Sequence, residues 1–451
     1  MGVMPVNKLI INMSLPMIIS MLVQALYNIV DSVFVAMVNQ ESLTAVSLAF
    51  PAQNLMIGFA TGTAVGVNAL ISRALGEKKN DKANSIAENG VFLALLSSIA
   101  FLLFGIFGSR LFIGSQTSVQ YIVDEGTKYL TVCCGASFGI FLEVMYERLL
   151  QATGRTIYTM FTQGIGAVAN IILDPIFIFV FKMGVTGAAI ATVIGQIIAF
   201  ILAVYFNSRK NPEINLSFKK FKPNGRYIAE IYKIGVPSII MVAIGSLTTY
   251  LMNKILIAYT AGKELAVNVY GAFFKLNSFI CMPMFGLNNG VIPIIAYNYG
   301  AKKKERLEKT IRLSVTYAEV FSVIGASAFF LLPKFLLSFF SATPEMLAIG
   351  VPALKIISLS FLVAGTNIAL GAVFQAFGKS VISMFVSFIR QLLVLIPAAF
   401  FLARYGFSVG NSDLVWFSYP VAEVFAFVFS IVFFIYVRKK IIRPLGKNEL
   451  E

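Results

Sequence analysis

Long apolar runs alternate with short polar breaks along the whole chain. Interruptions by Gly, Pro and charged residues divide these runs into twelve segments. Most reach or exceed the roughly 20 residues that an α-helix needs to cross ~30 Å of hydrocarbon. The pattern therefore predicts an all-α integral membrane protein with twelve transmembrane helices. The predicted spans are residues 10–37, 44–74, 85–107, 121–152, 157–181, 185–206, 235–260, 266–298, 307–332, 345–376, 381–403 and 413–437.

One polar connection is longer than all the others. Residues 207–227 contain two prolines and a basic cluster, and six predicted spans lie on each side of them. Such a segment is a natural boundary between domains. We therefore expect an N-terminal six-helix lobe at 1–206, a cytoplasmic linker at 207–227 and a C-terminal lobe at 228–451 with a basic tail.

The two halves also repeat a sequence pattern. LLQATGRTIYTMF (149–161) matches VFQAFGKSVISMF (373–385) at an offset of 224 residues. Because each repeat has an even number of spans, both enter the membrane from the same side. The two lobes should therefore be related by a pseudo-two-fold axis along the membrane normal. The same offset aligns Gly62 with Gly286, Gly66 with Gly290 and Gly76 with Gly300.

Composition agrees with a membrane protein, and charge adds its orientation. Hydrophobic residues make up 58% of the chain, charged residues only 13%, and the net charge is +15. The basic residues concentrate in alternate loops and in the tail at 438–447, so the positive-inside rule places these loops and both termini in the cytoplasm. We expect a multi-pass protein of the cell (inner) membrane that contacts lipid, binds no nucleic acid and keeps its first helix as a signal anchor.

The chemistry available to the chain is narrow. Histidine is absent, and Cys133, Cys134 and Cys281 all lie within apolar segments. Neither a zinc site nor a disulfide framework is expected from these residues. No nucleophile, base and metal stand together, so we expect no enzyme activity and no cofactor.

A carboxylate interrupts the first span, in ALYNIVDSVFVA (25–36). A charge near the middle of a span costs about 3 kcal/mol on insertion scales, and such residues usually face a bundle interior or a water-filled cavity. Asp31 continues a stripe of Gln24, Tyr27 and Asn28 at helical spacing. This stripe is predicted to line a polar cavity.

The fifth and sixth spans carry matching polar groups. Gln163, Asn170 and Asp174 share one helix face, and Pro175 removes one helical hydrogen bond directly after them. Asp31, Asp174 and Thr192 each lie six or seven residues from the outer end of their predicted spans, roughly 10 Å deep. The three helices of one lobe thus present polar groups at one level.

Two carboxylates at one level in a low-dielectric bundle need a shared proton or a cation between them. Oxygen atoms of Asp31, Asp174, Asn170 and Thr192 suit H⁺ or Na⁺ equally. We predict a coupling-cation site at these four residues, and a simple helix-to-helix hydrogen bond is the alternative.

The second lobe has no counterpart to these acids. The repeat offset places Ala398 at the position of Asp174, and residues 252–254 at that of Asp31. Lys254, Lys275 and Arg390 lie in apolar runs instead. They are open to three interpretations: neutralising Glu319 or Glu423, holding carbonyl groups, or lining a cavity.

The lower part of the fourth span holds Glu143, Glu147 and Arg148. They lie just before the turn QATGR, at the cytoplasmic end of that span. A local ion pair or a gate contact is favoured there over a substrate site.

Several motifs together resemble the multidrug and toxic compound extrusion (MATE) transporters. They are LPMIISMLVQALYNIVDSVFVA in the first span, LGEKK and its repeat YGAKKKE, QATGR and its repeat QAFGK, and NIILDP followed by GAAIAT. The resemblance covers almost the whole chain. It implies two six-helix lobes in a V that export organic, often cationic and amphipathic, compounds in exchange for Na⁺ or H⁺.

The resemblance also assigns roles to residues. In such transporters, the acid of helix 1 matches Asp31, the Asn-x-x-x-Asp-Pro motif of helix 5 matches Asn170, Asp174 and Pro175, and the threonine of helix 6 matches Thr192. Gln24 and Tyr27 match polar neighbours, and Pro16 matches a proline at which helix 1 bends. Some members carry a second-lobe cation site, whose acids are missing here.

We therefore expect an alternating-access antiporter for small organic compounds, coupled to H⁺ or Na⁺ and acting as a monomer. The alternative within transport is a flippase for lipid-linked precursors, which should show a basic cavity for phosphate groups. A receptor or channel is a further alternative. A channel would require a polar lining through several helices, whereas the acids here cluster at one depth.

Overall fold

The computed structural model describes residues 1–218, 221–260, 263–340 and 342–446, and within these ranges the chain is helical with no β-strand. The α-helices are α1 Val6–Val38, α2 Gln40–Gly76, α3 Asn80–Phe107, α4 Ser109–Gly114, α5 Gln120–Gly135, α6 Phe138–Ala152, α7 Thr156–Pro175, α8 Gly184–Lys210, α9 Gly225–Tyr259, α10 Lys263–Gly300, α11 Lys304–Leu331, α12 Pro333–Ser338, α13 Pro344–Ser358, α14 Phe361–Ala376, α15 Ser380–Phe388, α16 Ile396–Val409 and α17 Ser418–Val437. Short π- or 3₁₀-helical segments cover Ile176–Val180, Ile389–Leu395, Ser412–Phe417, Arg438–Ile442 and Arg443–Gly446.

The prediction of an all-helical membrane fold is confirmed. In the described ranges, 10 helical stretches are long and apolar enough to cross a membrane, and two bent pairs raise the number to 12. The bent pairs are α5 with α6, at 43°, and α13 with α14, at 55°. The expectation of one unbroken helix at 121–152, and of another at 345–376, was therefore wrong.

Local hydrogen bonding explains both breaks. At the first, the Ser137 hydroxyl donates to the carbonyl of Ser98 on α3. At the second, the hydroxyls of Ser358 and Ser360 donate to carbonyls three residues earlier. Serine side chains that bond the backbone compete with helical hydrogen bonding, and such positions favour turns and helix ends.

Helix α9 also begins earlier than predicted. The expected start was residue 235, whereas the helix starts at Gly225, where the Asn224 side chain accepts hydrogen bonds from the N–H groups of Arg226 and Tyr227. Asparagine is a favoured N-cap because it satisfies these free donors. The helix therefore includes the last residues of the predicted linker, and residues 211–224 connect α8 to α9.

Each half of the chain builds its own apolar core. In the first half, α1–α8, one cluster of buried side chains centres on α2, α3 and α6. In the second half, α9–α17, another centres on α9, α10 and α13. A third cluster joins α1 to α10, α11 and α14 near the loops at 301–303 and 377–379. We call this side of the bundle, which carries most of the basic loops, the basic end.

The contact between the halves is itself two-fold symmetric. The first long helix of each half packs on the second long helix of the other, α1 on α10 and α2 on α9. A Cβ added at Gly66 would overlap the Ile231 carbonyl of α9, and one added at Gly290 would meet Ser14 of α1. Glycines let helix backbones approach this closely, and these two glycines are repeat partners.

The same symmetry governs the basic end of the interface. Gly76 lies against the carbonyl of Tyr297, and its repeat partner Gly300 lies against the carbonyl of Arg73. Tyr297 is in turn 224 residues after Arg73. The repeat seen in the sequence therefore describes the packing of the two halves.

Further contacts hold the halves together at the basic end. The Lys303 ammonium donates to the carbonyl of Gly2 at 2.8 Å, and the Arg306 guanidinium donates to the carbonyls of Met1 and Met4. These bonds tie the N-terminus of the first half to the start of the second half's α11. The bundle is therefore closed at its basic end.

Candidate functional site

The close packing of α7 on α8 positions the central polar residues. A Cβ added at Gly166 would meet the carbonyl of Gly195 at 2.9 Å, and one at Gly195 would meet the carbonyl of Gly166 at 2.8 Å. Backbones this close bring residues one turn further along each helix into direct contact. Asn170 of α7 therefore faces Thr192 of α8.

The Asn170 amide links two of the predicted site residues. In the orientation that satisfies both neighbours, its nitrogen donates to Asp174 Oδ2 at 3.2 Å. Its oxygen then accepts from the Thr192 hydroxyl at 3.3 Å and from the Thr192 backbone N–H at 3.0 Å. Asn170, Asp174 and Thr192 thus form one buried hydrogen-bonded group.

Asp174 occupies the end of α7, where the helix changes its winding. The side chain is fully buried, and Pro175 closes the α-helix before the wider π turn at Ile176–Val180. Proline lacks the N–H that would continue the helical ladder. The change of winding at Pro175 thus directly follows the acid.

Asp31 approaches this group from α1. Its carboxylate lies within electrostatic range of Asp174, and its Oδ1 atom is buried without a hydrogen-bond partner among the described residues. Within the described part of the chain, neither acid forms a salt bridge with a lysine or arginine. Two carboxyl groups therefore meet in the first half without a cationic side chain between them.

This donor set fits a small hard cation or a proton. No cluster of three or more Cys, Asp or Glu occurs among the described residues, so a multi-carboxylate metal centre is not built there. A cation between Asp31 and Asp174 would take one unpartnered carboxylate oxygen and complete its shell with amide, hydroxyl or water oxygens.

The polar stripe on α1 is divided between two environments. Tyr27 hydrogen-bonds to Gln24 and lies in electrostatic range of Asp31, Asp174 and Glu143, so these residues belong to the interior of the first half. Asn28 is exposed. Pro16 lies further toward the basic end, and α1 passes through it without interruption.

Gln163 does not join the acids. It lies seven residues before Asn170, roughly 10 Å toward the basic end, where its amide donates to Glu147 Oε2 at 2.7 Å. The Thr162 hydroxyl donates to the other oxygen of Glu147, also at 2.7 Å. The sequence register correctly put Gln163 on the face of Asn170, but the Glu147 partnership required the packing of α6 on α7.

Arg148 contacts the opposite half of the molecule. Its Nη1 atom donates to Gln151 Oε1 at 2.8 Å and to Asn289 Oδ1 of α10 at 2.9 Å. Of the two interpretations offered by the sequence, a local ion pair and a gate contact, this geometry matches the gate contact. The charges in an apolar span signalled the position, while its partner in the second half could not be read from the sequence.

The second half pairs its buried acids. Arg390 Nη1 lies 2.9 Å from Glu423 Oε1, and the Asn367 amide donates to Glu423 Oε2 at 2.7 Å. Glu319 accepts from the N–H and hydroxyl of Thr366. Arg390 therefore neutralises Glu423, which settles one of the three residues that the sequence left open.

Comparison with known proteins was made by sequence and by structure. The MatE family model matches residues 16–176 and 237–401, one stretch in each half. The multidrug export protein MepA of Staphylococcus haemolyticus (strain JCSC1435) is 28% identical over 421 residues, which cover 92% of this chain and 90% of the relative. MepA of Staphylococcus aureus (strain NCTC 8325 / PS 47) is 28% identical over 429 residues, covering 93% and 91%.

Solved structures share the whole fold. An outward-facing multidrug resistance MATE transporter of the MOP superfamily aligns with a TM-score of 0.90 at 24% identity, covering 98% of this chain and 97% of the other. A MOP superfamily transporter from Pyrococcus furiosus Vc1 (DSM3638), described as having a binding pocket of reverse polarity that suggests a different function, aligns with a TM-score of 0.89 at 24% identity. It covers 98% of this chain and 97% of its own.

Proposed function

This chain belongs to the MATE family of transporters, and from this premise we propose that it is an antiporter that exports organic, cationic amphipathic compounds in exchange for H⁺ or Na⁺. The observation that carries the coupling is the pair Asp31 and Asp174. They are two neighbouring carboxyl groups inside a membrane bundle, without a cationic side chain between them in the described structure. The MepA relatives, named as multidrug export proteins, support the export role.

The acid pair supplies a site whose charge changes during transport. When the pair is ionised, the two like charges repel in a low-dielectric surrounding, and a proton or Na⁺ relieves that repulsion. A cationic substrate relieves it as well. Cation and substrate then compete for the same negative charge, which is the simplest source of exchange.

Helix α1 is the element through which binding would be transmitted. It carries Asp31, packs on α7 of its own half and on α10 of the other, and contains Pro16. The missing hydrogen bond at a proline makes that turn the least costly place for a helix to bend. Neutralising Asp31 would change how α1 packs on α7 and so weaken substrate binding.

The coupling has to be reciprocal. Ion and substrate must each shift the same equilibrium between two arrangements of the halves. With the basic end in the cytoplasm, the present arrangement is closed to the cytoplasm by the glycine contacts and by Arg148 with Asn289. Release of the ion inside would follow rocking of one half against the other.

Efflux of a fluorescent organic cation from proteoliposomes tests the proposal. Imposing a Na⁺ gradient and a pH gradient separately identifies the coupling ion. Asp31→Asn and Asp174→Asn should each lower gradient-driven efflux at least tenfold, because each variant leaves only one ionisable carboxyl group. Asp124→Asn is the matched control, since Asp124 is an exposed acid facing Arg110 at 3.7 Å.

Three results are informative. Intact efflux in both Asp31→Asn and Asp174→Asn would show that the acid pair does not couple transport. Translocation of an undecaprenyl-linked probe without dye efflux would support the flippase alternative. Dye efflux driven by neither gradient would exclude exchange with H⁺ or Na⁺.

A further inference from the structure

Lys275 of α10 lies on the side of its helix that faces the first half. It precedes Gly286 by eleven residues and Asn289 by fourteen, so it points within about 20° of the first and about 40° of the second. Gly286 packs on Ile18 of α1, and Asn289 accepts the hydrogen bond from Arg148 of α6. Both reference residues therefore contact the first half, and Lys275 projects in their direction.

Lys275 is nevertheless exposed. Helix α10 approaches the basic end with increasing residue number, so Lys275 lies roughly 16 Å farther from that end than Gly286. A residue on the contact face that is exposed at this height has lost its covering helix. The two halves have therefore separated at the level of Lys275, and its side chain lines the space between them.

The opposite wall at that level belongs to the polar stripe of α1. Helix α1 runs away from the basic end, and Asn28 lies ten residues beyond Ile18, roughly 15 Å higher. Asn28 is exposed like Lys275. Asp31 lies less than one turn above Asn28. The lysine and the acid-bearing helix thus stand at the same height on opposite walls of one cleft.

The charge on Lys275 has no counter-ion in the protein. Among the described residues, no carboxylate lies within 4.0 Å of its ammonium group. Its nearest aromatic neighbour is Phe340, whose ring centre is 6.0 Å away. An unpaired ammonium deep in a bundle normally faces water or a ligand, and the cleft provides that surrounding.

We propose that Lys275 binds an anionic group of the substrate, so that the cleft selects amphipathic compounds carrying both a cationic and an anionic group. The cationic group would lie toward Asp31 and Asp174 of the first half, and the anionic group toward Lys275 of the second. This inference rests on the proposed export function and narrows its substrate class. Lys275 acts as a specificity residue and takes no part in ion coupling.

Lys254 provides a matched control. It is also an exposed lysine without a carboxylate partner among the described residues, and it lies in α9, five residues before the helix ends at Tyr259. The face of α9 that contacts the first half contains Val242 and Ser246. Lys254 is rotated by about 80° from Ser246 and about 120° from Val242, so it lies outside the contact face.

Two matched dyes separate the substrate classes. A rhodamine with a free carboxylate carries both charges, and its methyl ester carries only the cation. Efflux of each is measured in proteoliposomes under the gradient that drives wild-type transport. Lys275→Gln should lower efflux of the free acid at least fivefold while changing efflux of the ester less than twofold. Lys275→Arg should keep the wild-type ratio, and Lys254→Gln should leave both dyes unchanged.

The outcomes distinguish this inference from the export function on which it rests. Equal loss of both dyes in Lys275→Gln, no loss of either, or wild-type protein that extrudes the ester alone would each overturn the role of Lys275 while export stands. Wild-type protein that extrudes neither dye would overturn export and this inference together. A fluorescent zwitterionic phospholipid serves as a third probe. If it alone depended on Lys275, the anionic group bound there would belong to a lipid, which would overturn the assignment to drug-like substrates.

Discussion

The two halves of this protein share a backbone pattern but treat buried charge in opposite ways. In the first half, Asp31 and Asp174 approach each other without a cationic partner in the described structure. In the second half, Glu423 is held by Arg390 and Asn367, and Glu319 by Thr366. The acids of one half can therefore gain or lose a cation at little structural cost, while those of the other are fixed.

This difference shows how a duplicated fold divides its tasks. The contacts between the halves remain symmetric, as Gly76 with Tyr297 and Gly300 with Arg73 demonstrate. Both halves must satisfy the same packing requirement at this shared surface. The interior of each half is free of that requirement, and there the sequences have diverged into a variable charge and a fixed one.

Breaking the fixed charge pair should have the largest effect on stability. Glu423→Gln leaves the Arg390 guanidinium without its carboxylate, and we expect a loss of about 2–3 kcal/mol in unfolding free energy. Thermal unfolding in detergent measures it. By contrast, Asp31→Asn should leave the melting temperature unchanged or raised, because it removes a repulsion between like charges.

A double variant serves as the control for that experiment. Arg390→Gln combined with Glu423→Gln should cost less than the sum of the two single variants, since neither change then leaves a lone charge. If Glu423→Gln melted at the wild-type temperature while Asp31→Asn was strongly destabilised, the contrast between the halves would be reversed.

The symmetric interface should respond equally in both halves, with a somewhat smaller effect. Gly76→Ala and Gly300→Ala each place a methyl group against a carbonyl of the other half, and overpacking of this kind costs about 1–3 kcal/mol. The melting temperatures of the two variants should fall by similar amounts. Gly164→Ala and Gly371→Ala are controls, because nothing lies within 4 Å of a Cβ added at either position.

A marked inequality between Gly76→Ala and Gly300→Ala would contradict a two-fold interface. Equal losses in the two control variants would show instead that any alanine substitution in these helices is harmful. The comparison thus separates the geometry of the contact from the helix propensity of the residue.

The smallest expected effect concerns the oxygen donors around the acids. Thr192→Val removes the hydroxyl that bonds Asn170, and losing about 1 kcal/mol of hydrogen bonding corresponds to about a fivefold weaker apparent affinity for the coupling ion. Efflux measured over a range of Na⁺ or H⁺ concentration would report it. Thr192→Ser keeps the hydroxyl and should behave like wild type; an equal shift in both variants would point to packing rather than to the hydroxyl.

Much of the site followed from helix geometry alone. Asp31, Asp174 and Thr192 could be placed at one level because a span has a known rise and must match the thickness of the membrane. Asn170 and Asp174 could be placed on one face because they are four residues apart. The direct bonding of Asn170 to Thr192 required more, namely the backbone approach at Gly166 and Gly195.

Partners in three dimensions were the part that sequence reasoning could not supply. Gln163 shares a face with Asn170, yet it bonds Glu147 because α6 packs on α7 at that height. The breaks at Ser137 and Ser360 were missed because each depends on which carbonyl a serine hydroxyl can reach.

The sequence by itself determined the number of spans, their repeat and the depth of each polar group. These properties are local, since they depend on hydropathy along one helix and on a fixed rise per residue. The tertiary structure alone decided which charges are paired: Arg390 with Glu423, Arg148 with Asn289, and neither Asp31 nor Lys275 with an opposite charge among the described residues. Pairing depends on the rotation of each helix and on the spacing between helices, and those are set by contacts between residues far apart in the chain.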